Sequence, residues 1–284
     1  MAVHVEANYV LGHSDGELER LRRQANLIDP ITRQFMLEAG IAEGMHVLDV
    51  GSGAGDVSLL VEKIVGPQGH VVGVDRSSVA VAKACARAEQ LALKNVSFHQ
   101  SDLETLQLDR RFDAIVGRYV LCFQPDPAAT IRLIAKLARP GGIVLFHEPD
   151  RAQMRSHPPV PSYDRACRWV NEAYRRTGVD TLVGLKLYSA FLAAGLPGPT
   201  MRLHAVIGGA TDTDVIHLDA DQAVILAPEI IRMGIATSEE LGLETLVQRI
   251  VEEMVANHSV IVGRGEIAAW SAVWPRLRVP IATT

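Results

Sequence analysis

Cysteines, basic runs and long hydrophobic runs are all scarce in this sequence, and each shortage argues against a class of protein. The three cysteines, Cys85, Cys122 and Cys167, have neither zinc-binding nor C-x-x-C spacing, so we expect reduced thiols in a cytoplasmic protein. No apolar run reaches the roughly 18 residues of a membrane-spanning helix, and the first residues lack a signal-peptide pattern. The net charge of −5 and the lack of a basic run argue against a nucleic-acid partner.

What the sequence does have, after residue 45, is an alternation of strand-like and helix-like apolar spacing. The hydrophobic content of 48% is enough for a large buried core. Such alternation is typical of an α/β protein in which helices cover both faces of a parallel sheet. The carboxyl ends of the strands then share one edge, where ligands bind. The predicted strands are 45–50, 70–75, 95–99, 112–117 and 143–147, and the predicted helices are 56–65, 78–92 and 127–138.

The N-terminal segment is predicted to contain two helices. The first covers 14–28, and the second begins with Asp29 as N-cap and Pro30 at the first helical position. Two interpretations stay open at this point. The helices either pack on the core or form a lid over the ligand, and in a lid Tyr9 and Gln24 would contact that ligand.

Towards the C-terminus the regular alternation stops. Segments 151–182 and 212–260 are mainly helical in pattern and are predicted to form a cap, with the clearest helix at 239–256. Strands at 200–208 and 267–274 would complete the sheet. The expected domains are an N-terminal helical lid (1–43), a ligand-binding core (44–150), and the remaining strands with the helical cap (151–284).

The most informative stretch runs from Val47 to Asp56, where a buried strand is followed by glycines and then by a helix. Glycines at 51, 53 and 55 let a ligand approach the backbone, and a helix N-terminus favours an anionic group. The dinucleotide fingerprint G-x-G-x-x-G requires a glycine where Asp56 stands, and no P-loop motif is present. A nicotinamide or nucleoside triphosphate ligand is therefore disfavoured.

Two acids follow the next two predicted strands. Asp75 ends the second strand, where a carboxylate suits the two hydroxyls of a ribose. Asp102 follows the third strand and can accept a hydrogen bond from an exocyclic amine. Together with the glycine turn, these acids predict a site for an adenosine without a pyrophosphate.

Five motifs follow one another over about residues 40–150: Val47–Asp56, Gly73-Val-Asp75, Ser101-Asp102-Leu103, Phe112-Asp-Ala-Ile-Val and Arg139-Pro-Gly-Gly-Ile-Val. In this order they resemble the motifs of class I S-adenosylmethionine-dependent methyltransferases. The likeness is nearest to the ubiquinone/menaquinone methyltransferase-like branch, which acts on small molecules. The resemblance implies S-adenosylmethionine as cofactor and a Rossmann-like, doubly wound, seven-stranded sheet with its last strand antiparallel.

The resemblance also implies which residues hold the methionine part of the cofactor. The backbone of Gly51, Ser52 and Gly53 would lie against it, and Asp49 would bind its ammonium group. Arg118 follows the fourth strand and could pair with the methionine carboxylate. A structural salt bridge is an equally open interpretation of this arginine.

The adenosine part is assigned by the same resemblance. Asp75 would bind the ribose and Arg76 would cover one side of the adenine. Asp102 and the amide of Leu103 would recognise the adenine edge. Each acid could instead be a helix or loop cap.

Methyl transfer depends mainly on alignment, and a base is needed only when the nucleophile must lose a proton. His147 and Glu148 end the fifth predicted strand, which faces the substrate side in this family. The ordinary pKa of histidine suits His147 as the base, and Tyr119 is a weaker candidate. We predict no metal, because Glu148 and Asp150 do not complete an octahedral ligand set.

The sequence therefore predicts a methyltransferase with a small organic acceptor, such as a phenol, quinol or secondary metabolite, methylated at O or N rather than C. Apolar and aromatic residues of the predicted cap suggest that the acceptor is itself apolar or aromatic. A homodimer is expected as the commonest oligomer. The alternatives are a protein that binds S-adenosylmethionine without methylating and, less favoured, a nicotinamide-dependent oxidoreductase.

Overall fold

The computed structural model describes residues 15–108 and 111–273, and the chain divides into two compact units. No helix within these described ranges is both long enough and apolar enough to cross a membrane. The described part of the first unit consists of 15–28, Gln153–Thr177 and Val206–Gly263. The described part of the second unit consists of 29–108, 111–152, Gly178–Ala205 and 264–273.

The strands and helices alternate as the sequence predicts up to residue 150. The strands are β1 (His46–Val50), β2 (His70–Asp75), β3 (Val96–Gln100), β4 (Phe112–Arg118), β5 (Ala138–Asp150), β6 (Arg155–His157), β7 (Thr200–Gly208) and β8 (Val260–Ala272). The helices are α1 (Asp15–Glu38), α2 (Asp56–Val65), α3 (Ser78–Gln90), α4 (Pro127–Ala135), α5 (Pro161–Thr177), α6 (Val183–Ala193), α7 (Thr213–Arg232), α8 (Ser238–Leu241) and α9 (Leu246–Asn257).

The sheet has the strand order β3-β2-β1-β4-β5-β8, with β7 also paired to β8. Neighbouring strands from β3 to β5 are parallel, and β8 is antiparallel to β5. The predicted α/β fold with an antiparallel last strand is confirmed. The expected number of seven strands is exceeded by one within the described residues, because the three-residue β6 pairs with the first residues of β8 in the first unit.

The strand register brings the candidate residues to one edge of the sheet. Asp49 pairs with Gly73 on one side and with Val116 on the other. Because side chains two residues apart in a strand share a face, Asp49 and Arg118 lie on the same face. The register also pairs Arg118 with His147, so β4 and β5 deliver their last residues to the same edge.

Both faces of the sheet in the second unit carry hydrophobic cores. Alternating residues of β1, such as Val47 and Leu48, enter opposite cores, as the two-residue period of a strand requires. One core joins the sheet to α1 and α2, including the fully buried Phe35. The other joins it to α4 and α6, including Phe146 and Phe191.

The predicted break between two N-terminal helices is wrong, because α1 is one helix with Pro30 inside it. Proline removes one N–H donor, yet burial of Thr32, Phe35 and Met36 holds the following turns in helical form. Asp29 does not act as an N-cap. Its carboxylate instead forms an ion pair with Arg118.

The first unit has its own core, formed mainly by α5, α7 and α9. Tyr163 is almost fully buried there, and its hydroxyl donates to Asp219 at 2.9 Å. The continuous helix predicted at 239–256 is wrong. A capping box at Thr237 begins α8, and Gly242, with φ of +49°, ends it before α9 begins.

Two strand boundaries also differ from the predictions. β5 begins at residue 138 instead of 143, with a register shift opposite β4 between Phe112 and Ala114. β8 begins at residue 260 instead of 267. The earlier start matters for the site, because it places Arg264 and Glu266 on a buried strand.

Candidate functional site

The loop between β1 and α2 contains three glycines with left-handed backbone conformations. Gly51 has φ of +67°, and a Cβ at this position would lie 2.7 Å from Val120 Cγ2. Gly53 has φ of +52°, and a Cβ there would meet nothing within 4 Å. Gly51 is therefore required by conformation and by close packing, whereas Gly53 leaves the loop backbone open to a ligand.

Asp49 is a buried carboxylate with one oxygen unsatisfied. Its Oδ2 accepts a hydrogen bond from the Ser58 hydroxyl at 2.6 Å, but Oδ1 has no hydrogen-bond partner. Burial raises the pKa of Asp49 to about 7, although the Ser58 hydrogen bond and the charge of Arg118 act in the opposite direction. The buried hydroxyl of Ser52 also lacks a partner. These atoms fit an ammonium-bearing ligand, because such a group would satisfy an oxygen whose isolation costs about 1–3 kcal/mol.

Asp75 fastens the glycine loop to the start of α3. Its Oδ2 accepts from the backbone N–H of Gly53 at 2.9 Å, and its Oδ1 accepts from that of Ser77 at 2.8 Å. The carboxylate is half-buried, and each oxygen keeps a further lone pair. It can therefore still accept hydrogen bonds from a pair of hydroxyl groups.

Arg76, Asp102 and Leu103 follow the ends of β2 and β3. The two strands pair Asp75 with Gln100, and the Gln100 side chain donates to the carbonyl of Arg76 at 3.2 Å. Arg76 and Asp102 are exposed and Leu103 is half-buried. The structure therefore brings them to the same edge as Asp75, and their contacts with an adenine stay predictions.

Arg118 has protein partners on α1. Its Nη1 atom donates to Asp29 Oδ1 at 2.7 Å and to Thr32 Oγ1 at 3.0 Å. The side chain is only 5% exposed. Burial raises the pKa of Asp29 despite this ion pair. The structural salt bridge considered for Arg118 is thus present, and contact with a methionine carboxylate stays a prediction.

Glu148 holds the turn that follows β4. Its Oε1 accepts from the backbone N–H groups of Val120 and Leu121 at 2.9 and 2.8 Å, and its Oε2 accepts from Cys122 at 3.3 Å. Burial raises the pKa of Glu148 to about 7, against the effect of these backbone hydrogen bonds. Both oxygens are engaged with the backbone, and the predicted catalytic role remains untested.

His147 is fully buried beside the same turn. Its Nδ1 lies 3.1 Å from Thr32 Oγ1 and its Nε2 lies 2.8 Å from Glu266 Oε2. Burial lowers its pKa, and Phe35 packs edge-on against the ring. A general base needs a nitrogen that can reach the substrate, and here both nitrogens face protein groups. The base role predicted for His147 from the sequence stays a prediction.

Tyr119 lies between β4 and the short 3-10 helix at Leu121–Phe123, with φ of +57°. Its hydroxyl donates to Glu266 Oε2 at 2.6 Å and accepts from Arg264 Nη2 at 3.0 Å. Burial raises the pKa of Tyr119 far above its ordinary value. The phenol is therefore neutral and tied to two groups of β8.

Sequence analysis missed four residues of this cluster: Asp29, Thr32, Arg264 and Glu266. Arg264 and Glu266 fall before the predicted start of the last strand. The β-branched run at 260–262 was a signal that could have extended that strand. Their pairing with residues more than a hundred positions away has no counterpart in local spacing.

Two further predictions concern other parts of the chain. Tyr9 lies outside the described residues, and Gln24 belongs to the first unit. In the described ranges, no group of three or more His, Cys, Asp or Glu side chains could hold a metal ion.

Residues 41–177 match the family model of a methyltransferase domain. Over 121 residues the chain is 35% identical to the arsenite methyltransferase of Aquipseudomonas alcaligenes. The matched residues cover 40% of this chain and 35% of that protein. Over 122 residues it is 37% identical to the ubiquinone biosynthesis O-methyltransferase of Coxiella burnetii. The matched residues cover 43% of this chain and 50% of that protein. The chain thus spans half or less of the length of these relatives.

A solved structure of a putative methyltransferase from Bacillus halodurans is similar to this chain with a TM-score of 0.54. The sequences are 19% identical, and the match covers 85% of this chain and 97% of that one. At this identity the likeness shows the fold alone.

Proposed function

We propose that this chain, whose residues 41–177 match the family model of a methyltransferase domain, transfers a methyl group from S-adenosylmethionine to a small organic acceptor. The observation that carries the proposal is the open glycine loop beside a buried, unsatisfied carboxylate. Gly53 faces open space, and Asp49 Oδ1 lacks a hydrogen-bond partner. The ammonium group of the donor supplies a partner for that oxygen, and the loop admits the methionine backbone.

The residues at the strand ends fit the rest of the donor. Asp75 keeps lone pairs for the ribose hydroxyls while it holds the loop in place. In this proposal Arg76 covers the adenine, and Asp102 and the amide of Leu103 bind its edge. Arg118 contributes positive charge near Asp49. It can pair with the methionine carboxylate if its ion pair with Asp29 breaks.

Bound S-adenosylmethionine supplies a methyl group on a positively charged sulfur, which leaves as a neutral thioether. The chain's own contribution is then to align the two reactants and exclude water. Alignment of this kind can account for about 7–11 kcal/mol of a barrier. When the acceptor is a phenol or quinol, its hydroxyl proton passes to solvent or to a nearby base as the new oxygen–carbon bond forms. Both nitrogens of His147 are engaged by protein groups.

We favour an organic acceptor such as a phenol or quinol over a thiophilic ion. One relative is named for arsenite and another for ubiquinone biosynthesis. Soft ions are held by clustered thiolates. Among the described residues, no cluster of metal-ligating side chains is present to hold such an ion. Our proposal also includes an apolar or aromatic acceptor, a cytoplasmic location and a homodimer, as the sequence predicts.

Calorimetry with S-adenosylmethionine and with NADH tests the donor. We expect binding of the first and none of the second, and the absence of S-adenosylmethionine binding would refute the proposal. Transfer of a labelled methyl group to phenols, quinols, amines and arsenite then tests the acceptor. Binding of S-adenosylmethionine without transfer to any member of the panel would favour the non-methylating alternative.

A further inference from the structure

Glu266, on β8, is the point at which three hydrogen-bonding groups meet. Its Oε1 accepts from Arg264 Nε at 2.8 Å, and its Oε2 accepts from the Tyr119 hydroxyl at 2.6 Å. The same Oε2 lies 2.8 Å from Nε2 of His147. The carboxylate is fully buried and ion-paired with Arg264, which keeps it ionised. Because an ionised carboxylate can only accept, Nε2 of His147 carries a proton.

The Tyr119 side chain is held on several sides by this cluster. Its hydroxyl is both a donor to Glu266 and an acceptor from Arg264. Its ring lies 5.1 Å from the Arg264 guanidinium and 5.5 Å from the centroid of the His147 ring. These contacts fix a bulky residue in the left-handed region, a conformation that persists only where the surroundings enforce it.

The turn that Tyr119 begins is held a second time through its backbone. Glu148 accepts the N–H groups of residues 120, 121 and 122. Val120 packs directly against Gly51, with 2.7 Å between its Cγ2 and the place of a Cβ on that glycine. A shift of the turn therefore moves one wall of the glycine loop, where we place the methionine part of the donor.

We propose that Glu266 is a positioning residue of the transfer site. It fixes the Tyr119 side chain and the His147 ring, and through them it holds the turn against the glycine loop. His147 then acts as a hydrogen-bond donor to Glu266 and not as the base predicted from the sequence. This inference rests on the proposed methyl transfer. It assigns a function to β8, which lies outside the matched residues 41–177.

Nitrogen-15 NMR of the histidine side chains tests the proton arrangement without any acceptor molecule. We expect Nε2 of His147 to be protonated at neutral pH in the full chain, with the signal assigned by its loss in His147→Gln. Glu266→Gln should alter that signal. If this variant fails to fold because the buried ion pair is broken, Arg264→Gln/Glu266→Gln removes both charges of the pair and should alter the signal equally. An unprotonated Nε2 in the unmodified chain would overturn the inference.

Tyr119→Phe tests positioning, because it removes one hydroxyl and leaves the ion pair intact. We expect turnover to fall about 10- to 100-fold, the scale of effect of a small misplacement of reacting groups. S-adenosylmethionine affinity should fall by a smaller factor, because the turn packs against the glycine loop. Tyr188→Phe is the matched control, since Tyr188 is 51% exposed, and it should change neither quantity. Unchanged turnover in Tyr119→Phe, or an equal loss of turnover and affinity, would contradict the inference.

The same measurements separate the two proposals. If the unmodified chain does not bind S-adenosylmethionine, the proposed function fails while the NMR result still tests the Glu266 contacts. If binding and transfer are normal but Tyr119→Phe behaves like Tyr188→Phe, only the positioning role fails.

Discussion

Two neighbouring regions at the carboxyl edge of the sheet differ in whether the oxygens of their buried carboxylates all have hydrogen-bond partners. At the end of β1, Asp49 Oδ1 and the Ser52 hydroxyl are buried without hydrogen-bond partners. Around β5 and β8, each carboxylate oxygen of Glu148 and Glu266 accepts at least one hydrogen bond. Native proteins rarely leave buried polar atoms unpaired, so the unpaired atoms of the first region support our proposal that it binds a ligand, whereas the second region is satisfied by protein groups.

The same contrast appears in the acidities. Asp49 and Glu266 are both fully buried, yet burial raises the pKa of Asp49 to about 7, whereas the pKa of Glu266 is lowered to about 2. Burial alone would raise both. The Arg264 guanidinium beside Glu266, together with hydrogen bonds from His147 and Tyr119, reverses the effect of burial. An opposite charge within hydrogen-bonding distance, and not depth of burial, distinguishes the two sites.

The largest expected effect comes from breaking the satisfied region. Glu266→Gln breaks the buried ion pair with Arg264 by removing one partner, which typically costs about 3–5 kcal/mol. The free energy of unfolding, measured by urea denaturation, should fall by that amount. Glu172→Gln is the control, because Glu172 pairs with Arg175 and Arg176 on the surface, where the loss of an ion pair changes stability little. Equal losses of unfolding free energy in the two variants would show that the buried Glu266 pair stabilises the protein no more than a surface pair does.

The next effect concerns the unsatisfied region. Asp49→Asn removes the charge that we assign to the donor's ammonium, and loss of one partner of a buried charge pair typically costs about 2–5 kcal/mol. Calorimetry should therefore show S-adenosylmethionine affinity reduced about 30-fold or more. Asp113→Asn is the matched change, since Asp113 bonds to His46 and Arg139 at the other end of the strands. Similar affinities for the two variants would remove Asp49 from the donor site.

A smaller effect is expected at Asp75. Asp75→Ala should weaken S-adenosylmethionine binding by about 1–3 kcal/mol, through lost contacts with the ribose hydroxyls. It also removes acceptors for Gly53 and Ser77, so stability must be measured alongside affinity. Asp126→Ala is the control. It removes the N-cap of α4 and should cost about 1 kcal/mol of stability without a change in affinity.

The smallest effect is a pH dependence of the Asp49 region. The folded pKa of Asp49 is raised from the ordinary 3.8 to about 7. Its contribution to the stability of the ligand-free protein is therefore fully present below about pH 4 and is lost as pH rises through about 7. S-adenosylmethionine requires the ionised form, so its affinity should fall as pH drops below about 7, by at most about tenfold per pH unit. Calorimetry between pH 5.5 and 7.5 measures this slope. Asp49→Asn should flatten it, and a slope that persists in that variant would point to another group.

Much of the fold could be predicted because its signals are local. The predicted bounds of β1 to β4 agree with the structure within one residue, and α2 agrees at both ends. The glycine turn and the acids that follow the strands are likewise local features of sequence. Parallel topology then places them together at one edge, as the register of Asp75 with Gln100 shows.

The cluster around Glu266 could not be predicted in the same way. Its members come from α1, β4, β5 and β8, and no periodicity links Thr32 to His147 or Tyr119 to Glu266. Asp29 was misassigned because Asp-Pro is a strong helix-start signal, and tertiary burial of the following turns overrode it. The predicted roles of the segments 151–182 and 212–260 in acceptor binding stay predictions.

The bond from Asp75 to the glycine loop has a further consequence for binding. Glycine loses more conformational entropy than any other residue when it becomes ordered, and this loop contains Gly51, Gly53 and Gly55 within five positions. The Asp75 carboxylate fixes the Gly53 N–H before any ligand arrives. The loop is therefore already ordered when a ligand binds. The free energy of binding then does not include the entropic cost of ordering these glycines.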